Sequence, residues 1–251
     1  MFYTMDDLQN GLQSYENSLA ILEQVASEEP GNLKYLSSLA DVISRVGDIK
    51  GMPTYSNLGD LAGALESYQR VVTLAEKLAN AAPDNEEYRG DYATRLFYFG
   101  RVQAATGDAK GAILSGQKSV AILKGLVEAN PDDAAYESRL MVALNSVQSS
   151  LLAEGQTAEA IENSRKVVMT LERLTGEDPQ NSNLKRGLGV GYRSLGVCLM
   201  QAKDIRPALE NFRRSLSIAE ALAAAEPKNA EHAHDVEAAK KSLSEAMFAR
   251  R

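Results

Sequence analysis

The chain has 251 residues, 44% of them hydrophobic, so it is long enough to bury a large core. Its net charge of −7 at pH 7 opposes phosphate groups, which excludes nucleic acid and anionic lipid as favoured partners. The longest apolar runs fall far short of the roughly 20 residues of a membrane helix, so no direct membrane insertion is expected. Cys198 is the one cysteine of the sequence, which argues against an internal disulfide and a structural zinc site.

The first part of the chain is predicted to form two helices followed by an irregular insert. Apolar spacing indicates helices over about 5–29 and 32–46, which Pro30 separates. Glycine, proline, serine and asparagine then replace helix formers, and residues 49–58 are predicted to form the insert. An insert that packs across a binding groove would act as a lid. One that lies outside the groove would be a tolerated loop, and the expectation is that deleting residues 52–56 leaves thermal stability nearly unchanged.

From residue 59 onward the sequence repeats every 48 residues. Turn pairs recur at this period, as in Gly59-Asp60 and Gly107-Asp108, and so does a proline 24 residues after each pair. The prolines are Pro83, Pro131, Pro179 and Pro227. Pro30 lies 53 residues before Pro83, which is one period plus five inserted residues. Each period therefore has room for two helices of equal length.

Apolar residues at three-and-four spacing place the remaining helices. They are predicted at about 60–82, 85–106, 109–130, 133–154, 157–178, 181–202, 205–226 and 229–249. A single hairpin of this kind cannot bury its apolar stripe alone, so neighbouring hairpins must stack. The predicted fold class is all-α, with about ten helices in antiparallel hairpins and one domain over residues 1–251. Its repeat boundaries are expected near Pro30, Pro83, Pro131, Pro179 and Pro227.

The motifs within each period resemble the tetratricopeptide repeat. The best match is Tyr192-x2-Leu195-Gly196, followed by Lys203-Asp204 and Ala208-x3-Phe212. That family repeats every 34 residues, and the 14 additional residues here add two turns to each helix. The resemblance implies a right-handed solenoid in which the first helix of each hairpin lines a concave groove.

A second resemblance covers about two dozen residues. The stretches 45–53, RVGDIKGMP, and 57–68, NLGDLAGALESY, resemble the repeat region that follows the kinase domain in certain bacterial serine/threonine kinases. This implies the interaction arm of a bacterial signalling protein, with any kinase chemistry in a parent chain outside this segment. It also implies a cytoplasmic location, or an extracytoplasmic one if the parent is a membrane-anchored kinase.

The resemblance to tetratricopeptide repeats also suggests which side chains face the groove. The predicted partner-binding residues are Asp41, Arg45, Phe97, Arg101, Asn145 and Arg193. An aromatic anchor with polar neighbours suits an extended or helical segment of a protein partner. The clamp by which some family members hold a C-terminal carboxylate is not reproduced at Ser37 and Asp41, which disfavours a chaperone-tail receptor.

Catalysis, cofactors and metals are not predicted. Gly187-x-Gly189-x-Gly191 lies inside a helix and follows no strand, so close helix packing explains it better than phosphate binding. His232 and His234 point to opposite sides of a helix, cannot share a metal, and are expected at the surface. Cys198 is interpreted as a small core residue. The alternative to a non-catalytic scaffold is a sensory module that binds a small ligand or self-associates to regulate an attached domain.

Overall fold

The computed structural model describes residues 4–130 and 133–249, apart from the side chain of residue 134. This part of the chain contains ten α-helices and no strand, as the repeat pattern predicts. The helices are α1 (Met5–Glu28), α2 (Leu33–Gly51), α3 (Leu61–Ala81), α4 (Glu86–Ala105), α5 (Ala109–Ala129), α6 (Ala134–Ala153), α7 (Thr157–Glu177), α8 (Ser182–Gln201), α9 (Ile205–Ala225) and α10 (Ala230–Ala249). The boundary expected at Pro131 and the terminal Arg250 and Arg251 lie outside the described residues.

Each repeated turn pair lies between two helices, as the 48-residue period predicts, and two of the pairs also cap the following helix with an aspartate. Gly59, Gly107 and Gly155 have φ of 80°, 86° and 72°, the left-handed region in which glycine carries no steric penalty. Asp108 then accepts a 2.8 Å hydrogen bond from the amide of Gly111, which satisfies a free donor of the first turn of α5. Lys203 occupies the glycine position of the fourth turn with φ of 63°.

Contacts divide the chain into two compact units, Met1–Ala143 and Leu144–Arg251. In unit 1 the hairpins α2–α3 and α4–α5 pack closely, and α1 packs on α2. The core between α3 and α4 includes the fully buried Tyr68 and Val102. In unit 2 the hairpin α8–α9 packs against α7 and α10. A single domain over residues 1–251 remains a proposal.

The glycines of α8 and its cysteine serve helix packing. A Cβ on Gly189 would lie 3.2 Å from the Ile218 side chain, and one on Gly191 would lie 3.3 Å from Leu171. Cys198 has no exposed surface, and burial raises the pKa of its thiol. For these residues the interpretation as close packing is confirmed.

Met52 anchors the insert in the core, whereas residues 53–56 are exposed. Helix α2 runs to Gly51, five residues past its predicted end, whereas the other described helix ends lie within one residue of prediction. The carbonyls of Ile49 and Lys50 accept hydrogen bonds of 2.8 Å from the amides of Leu58 and Asp60. Met52 has no exposed surface and belongs to the core of unit 1. The burial of Met52 argues against the expectation that residues 52–56 are dispensable for stability.

The prediction that His232 lies at the surface is also wrong. Its exposed fraction is 4%, whereas His234 is exposed as expected. The Nδ1 atom of His232 is buried and has no hydrogen-bond partner in the described structure. His232 is the repeat equivalent of Tyr88 and Leu184. Side chains at this position face the core, and His232 is therefore buried.

Candidate functional site

Asp41 and Arg95 join the first helices of two successive hairpins in unit 1. The guanidinium of Arg95 on α4 forms an ion pair with Asp41 on α2. Its Nη1 atom also donates a 2.7 Å hydrogen bond to Ser44 Oγ. The Arg95 side chain is 18% exposed, whereas that of Asp41 is 62% exposed, so the pair lies at the rim of the α2–α4 surface. The sequence prediction included Asp41 but missed Arg95.

Arg45, one turn further along α2, is paired with Asp48. Its Nη1 atom lies 3.4 Å from Asp48 Oδ2, and the Arg45 side chain is 64% exposed. Asp48 also accepts a hydrogen bond from the hydroxyl of the buried Tyr68. Burial raises the pKa of Asp48 despite that hydrogen bond and the charge of Arg45. Arg45 is therefore accessible although it is paired with Asp48.

Phe97 and Arg101 lie together on α4, as predicted. The Arg101 guanidinium lies 5.7 Å from the centre of the Phe97 ring, and the Tyr98 ring meets Phe97 edge-on at 5.1 Å. The hydroxyl of Tyr55 in the insert lies 3.5 Å from that of Tyr98. This contact, followed by burial, raises the pKa of Tyr55 to about 12. We call Tyr55, Phe97, Tyr98 and Arg101 the aromatic cluster; the sequence prediction missed its two tyrosines.

A cleft of about 240 Å³ opens between α2, α3 and α4 of unit 1. It is lined by Ser37, Ala40, Asp41, Ala75, Leu78, Tyr88, Asp91 and Arg95. Burial raises the pKa of Asp91, and the positive charges of Arg95 and Arg139 offset this only in part. The cleft thus contains a carboxylate that the surrounding protein solvates poorly.

Unit 2 contains a cleft of about 250 Å³ between α8, α9 and α10. It is lined by Arg186, Gly189, Val190, Arg193, Ser215, Ile218, Ala219, Leu222 and Asp235. Arg186 Nε donates a 2.6 Å hydrogen bond to Asp235 Oδ2, and its Nη1 lies 3.1 Å from Glu231 Oε2. The predicted residue Arg193 lies at this cleft.

The predicted site residues fall into two sets. Asp41, Arg45, Phe97 and Arg101 lie on α2 and α4 of unit 1, whereas Asn145 and Arg193 belong to unit 2. Asn145 Oδ1 accepts a 3.0 Å hydrogen bond from Ser194 Oγ, so its carbonyl group is already occupied within unit 2. A groove that uses all six residues remains a proposal.

The charged residues that the prediction missed could have been found by comparing repeats. Glu87 and Asp91 in α4 recur as Glu231 and Asp235 in α10, three periods later. Within the described residues there is no group of three or more His, Cys, Asp or Glu side chains that could hold a metal ion. None of the helices in the described ranges is long and apolar enough to span a membrane.

Comparisons with known proteins identify the fold. A family model described as tetratricopeptide repeat matches residues 54–78. The crystal structure of BtubC (BKLC) from P. vanneervenii is 17% identical, with a TM-score of 0.58 over 99% of this chain and 92% of that one. MamA is 16% identical, with a TM-score of 0.48 over 89% of this chain and 99% of that one. A Podosopora anserina protein with nearly identical TPR-like repeats is 15% identical, with a TM-score of 0.46 over 83% and 97%.

No curated protein sequence matches the chain. The likeness to BtubC has a TM-score above 0.5, and at 17% identity it shows a shared fold. The family match covers the end of the insert and most of α3. The chain is therefore an all-helical repeat protein with a fold of the tetratricopeptide type.

Proposed function

We propose that this chain is a non-catalytic scaffold that binds a segment of a partner protein along the first helices of its hairpins. The observation that carries the proposal is the aromatic cluster on α4. Tyrosine and arginine are enriched among the hot spots of protein interfaces. This cluster contains two tyrosines, an arginine and a phenylalanine. Tyr55 is 47% exposed, and Phe97, Tyr98 and Arg101 are half-buried.

The cluster is prepared for binding before a partner arrives. Phe97 contacts both the Tyr98 ring and the Arg101 guanidinium, and we expect these contacts to reduce the side-chain freedom that it loses when a ligand covers it. Arg45 adds an accessible cation on the neighbouring α2. A partner segment with an apolar side chain for Phe97 and an acidic group for Arg101 or Arg45 fits this surface.

The alternative, a sensory module for a small ligand, is less well supported by the two described clefts. Most of the 240–250 Å³ of each cleft is open to solvent, and the enclosed part is about 10 Å³, far below the roughly 300–1,000 Å³ of typical small-molecule sites. Self-association would use the same surfaces and is distinguished by the size of the particle in solution.

The binding proposal is tested by selecting peptides from a random 12-residue display library on the immobilised 251-residue chain. Peptides enriched on the native chain should bind Phe97→Ala and Arg101→Ala roughly tenfold more weakly or worse, by fluorescence anisotropy. The control is Leu114→Ala, which removes a 69% exposed apolar side chain from α5. Enrichment that is absent, or equally strong on the native chain and Phe97→Ala, would overturn the proposal.

A narrower proposal is that the scaffold is the arm of a bacterial signalling kinase, in the cytoplasm or beyond it if the kinase is anchored in a membrane. It rests on the similarity of residues 45–53 and 57–68 to the repeat region of such kinases. A kinase domain encoded in frame ahead of residue 1 would support it. A complete gene without such a domain would refute it.

A further inference from the structure

We propose that the unit 1 cleft between α2, α3 and α4 receives the guanidinium or ammonium group of an arginine or lysine from the partner segment. This inference rests on the proposed function and adds the chemistry of the partner. We call the cleft the cation cleft. Two repeats of the chain each build a cleft at this place.

The two clefts use equivalent positions of the repeat. In unit 1 the wall and floor positions are Ser37, Ala40, Ala75, Leu78 and Asp91. In unit 2 the same positions, counted from the repeat prolines, are Arg186, Gly189, Ala219, Leu222 and Asp235. The floor residues of both clefts are small or apolar. In each cleft the first helix of the next hairpin contributes an aspartate.

In unit 2 the protein supplies its own cation. Arg186 extends from α8 and places its guanidinium between Asp235, at 2.6 Å, and Glu231, at 3.1 Å. The hydrogen bond with Asp235 raises the pKa of Arg186, so the two charged groups stabilise each other. This geometry demonstrates that a carboxylate pair at these positions holds a guanidinium group.

In unit 1 the same two carboxylates are present and the arginine is missing. Glu87 and Asp91 occupy the positions of Glu231 and Asp235, whereas Ser37 replaces Arg186. Within the described residues neither Glu87 nor Asp91 makes a hydrogen bond or an ion pair. Ser37 is half-buried, and its short side chain brings no charge to the position from which Arg186 reaches Asp235 in unit 2.

The other cations near the cleft, Arg95 and Arg139, lower the pKa of Asp91 through their charge, but their hydrogen bonds and ring contacts are with other groups. Arg95 directs both terminal nitrogens toward α2, to Asp41 and to Ser44 Oγ. The Arg139 guanidinium lies 5.9 Å from the centre of the Tyr136 ring. Tyr88, another wall of the cleft, presents an aromatic ring that favours a bound cation.

The position of the cation cleft also predicts a spacing in the partner. Asp91 and Tyr98 are seven residues apart on α4 and lie on the same side of the helix, about 10 Å from each other. An extended peptide covers that distance in about three residues. The partner segment should therefore have an arginine or lysine three positions from an apolar or aromatic residue that contacts the aromatic cluster.

The first test sequences the peptides that the 12-residue library yields on the native chain and on Asp91→Asn. Native selection should enrich arginine or lysine three positions from an apolar residue, and Asp91→Asn should lose the basic residue but keep the apolar one. Peptides that depend on Phe97 and lack a basic residue would overturn this inference and leave the proposed function standing. Absence of any Phe97-dependent peptide would overturn both.

The second test supplies the missing arginine internally. Ser37→Arg should occupy the cleft as Arg186 does in unit 2 and weaken the selected basic peptides roughly tenfold or more, while raising the melting temperature. The matched control is Ser38→Arg, which adds the same charge at an exposed neighbouring position. On the native chain, citrulline in place of the peptide arginine should have the same effect as Ser37→Arg. Unchanged affinity of Ser37→Arg, or equal loss for Ser38→Arg, would refute the cation cleft.

Discussion

Arg186 Nε donates a 2.6 Å hydrogen bond to Asp235 Oδ2, so an arginine of α8 neutralises a carboxylate of α10 within unit 2. The Asp235 side chain is only 16% exposed and Arg186 is 35% exposed, so the pair is partly shielded from water. Asp91, at the equivalent position of unit 1, has no such partner among the described residues. The chain thus neutralises the Asp235 carboxylate of the unit 2 cleft with its own arginine, whereas the Asp91 carboxylate of the unit 1 cleft makes no such hydrogen bond among the described residues.

Replacing Arg186 should destabilise unit 2. Arg186→Ser, which copies the residue at position 37, leaves Asp235 and Glu231 without their cation. Because removal of one member of a shielded pair leaves the other poorly solvated, we expect a loss of about 1–3 kcal/mol in the free energy of unfolding in urea. Arg206→Ser is the control, since that side chain is 93% exposed and its loss should change stability by less than about 0.5 kcal/mol. Equal effects of the two substitutions would contradict the role of the pair.

Met52 should contribute strongly to the stability of unit 1, although it lies in the insert. Met52→Ala removes a side chain with no exposed surface and leaves a cavity, which costs about 2–5 kcal/mol. Met5→Ala, at a position that is 58% exposed, serves as the comparison and should have little effect. Both are measured by chemical denaturation, and a Met52→Ala chain as stable as Met5→Ala would restore the view of a dispensable loop.

The hairpins were predictable because their signals are local. A residue with positive φ recurs at fixed spacing between helices, and at Gly59-Asp60 and Gly107-Asp108 it is followed by an aspartate that caps the next helix. The insert was not predictable in this way. Its order depends on Met52 entering a core formed by α3 and α4, which is a tertiary contact.

The site residues were predictable only in part for the same reason. Phe97 and Arg101 are neighbours on one helix turn, so their contact follows from the sequence. The Asp41–Arg95 pair joins two hairpins, and helix periodicity alone does not give the distance between them. The burial of His232 could have been predicted by aligning it with Tyr35, Tyr88, Tyr136 and Leu184 at the same repeat position.

Lys203 is expected to be replaceable by glycine with a gain in stability. Its φ of 63° forces a side chain into the left-handed region, where glycine stands in the other turns. Lys203→Gly should therefore raise the free energy of unfolding by roughly 1 kcal/mol. Lys203→Ala separates the backbone effect from loss of the charge, because alanine keeps the Cβ atom. A gain from alanine equal to that from glycine would show that φ is not the cause.

His232→Leu, which copies Leu184 of the third full repeat, should stabilise unit 2. The buried Nδ1 atom has no hydrogen-bond partner, and an unsatisfied buried polar atom costs about 1–3 kcal/mol. Glu226 Oε2 lies 3.8 Å from Nδ1, too far for a hydrogen bond. The melting temperature should rise for His232→Leu and stay nearly constant for His234→Leu, at an exposed position. A fall with His232→Leu would mean that the imidazole is satisfied in solution.

Asp91→Asn should stabilise the chain at neutral pH and lose that advantage in acid. Burial raises the folded-state pKa of Asp91 above the ordinary carboxyl value of 3.8, so its charged form disfavours folding wherever the carboxylate is ionised. As the pH falls through the raised pKa toward 3.8, native Asp91 takes up a proton and the difference from the variant disappears. Urea unfolding of both chains between neutral pH and pH 4 measures this, with the exposed Asp84→Asn as control. A variant less stable than the native chain at neutral pH would mean that Asp91 has an internal partner, and the cation cleft would then be occupied by the protein itself.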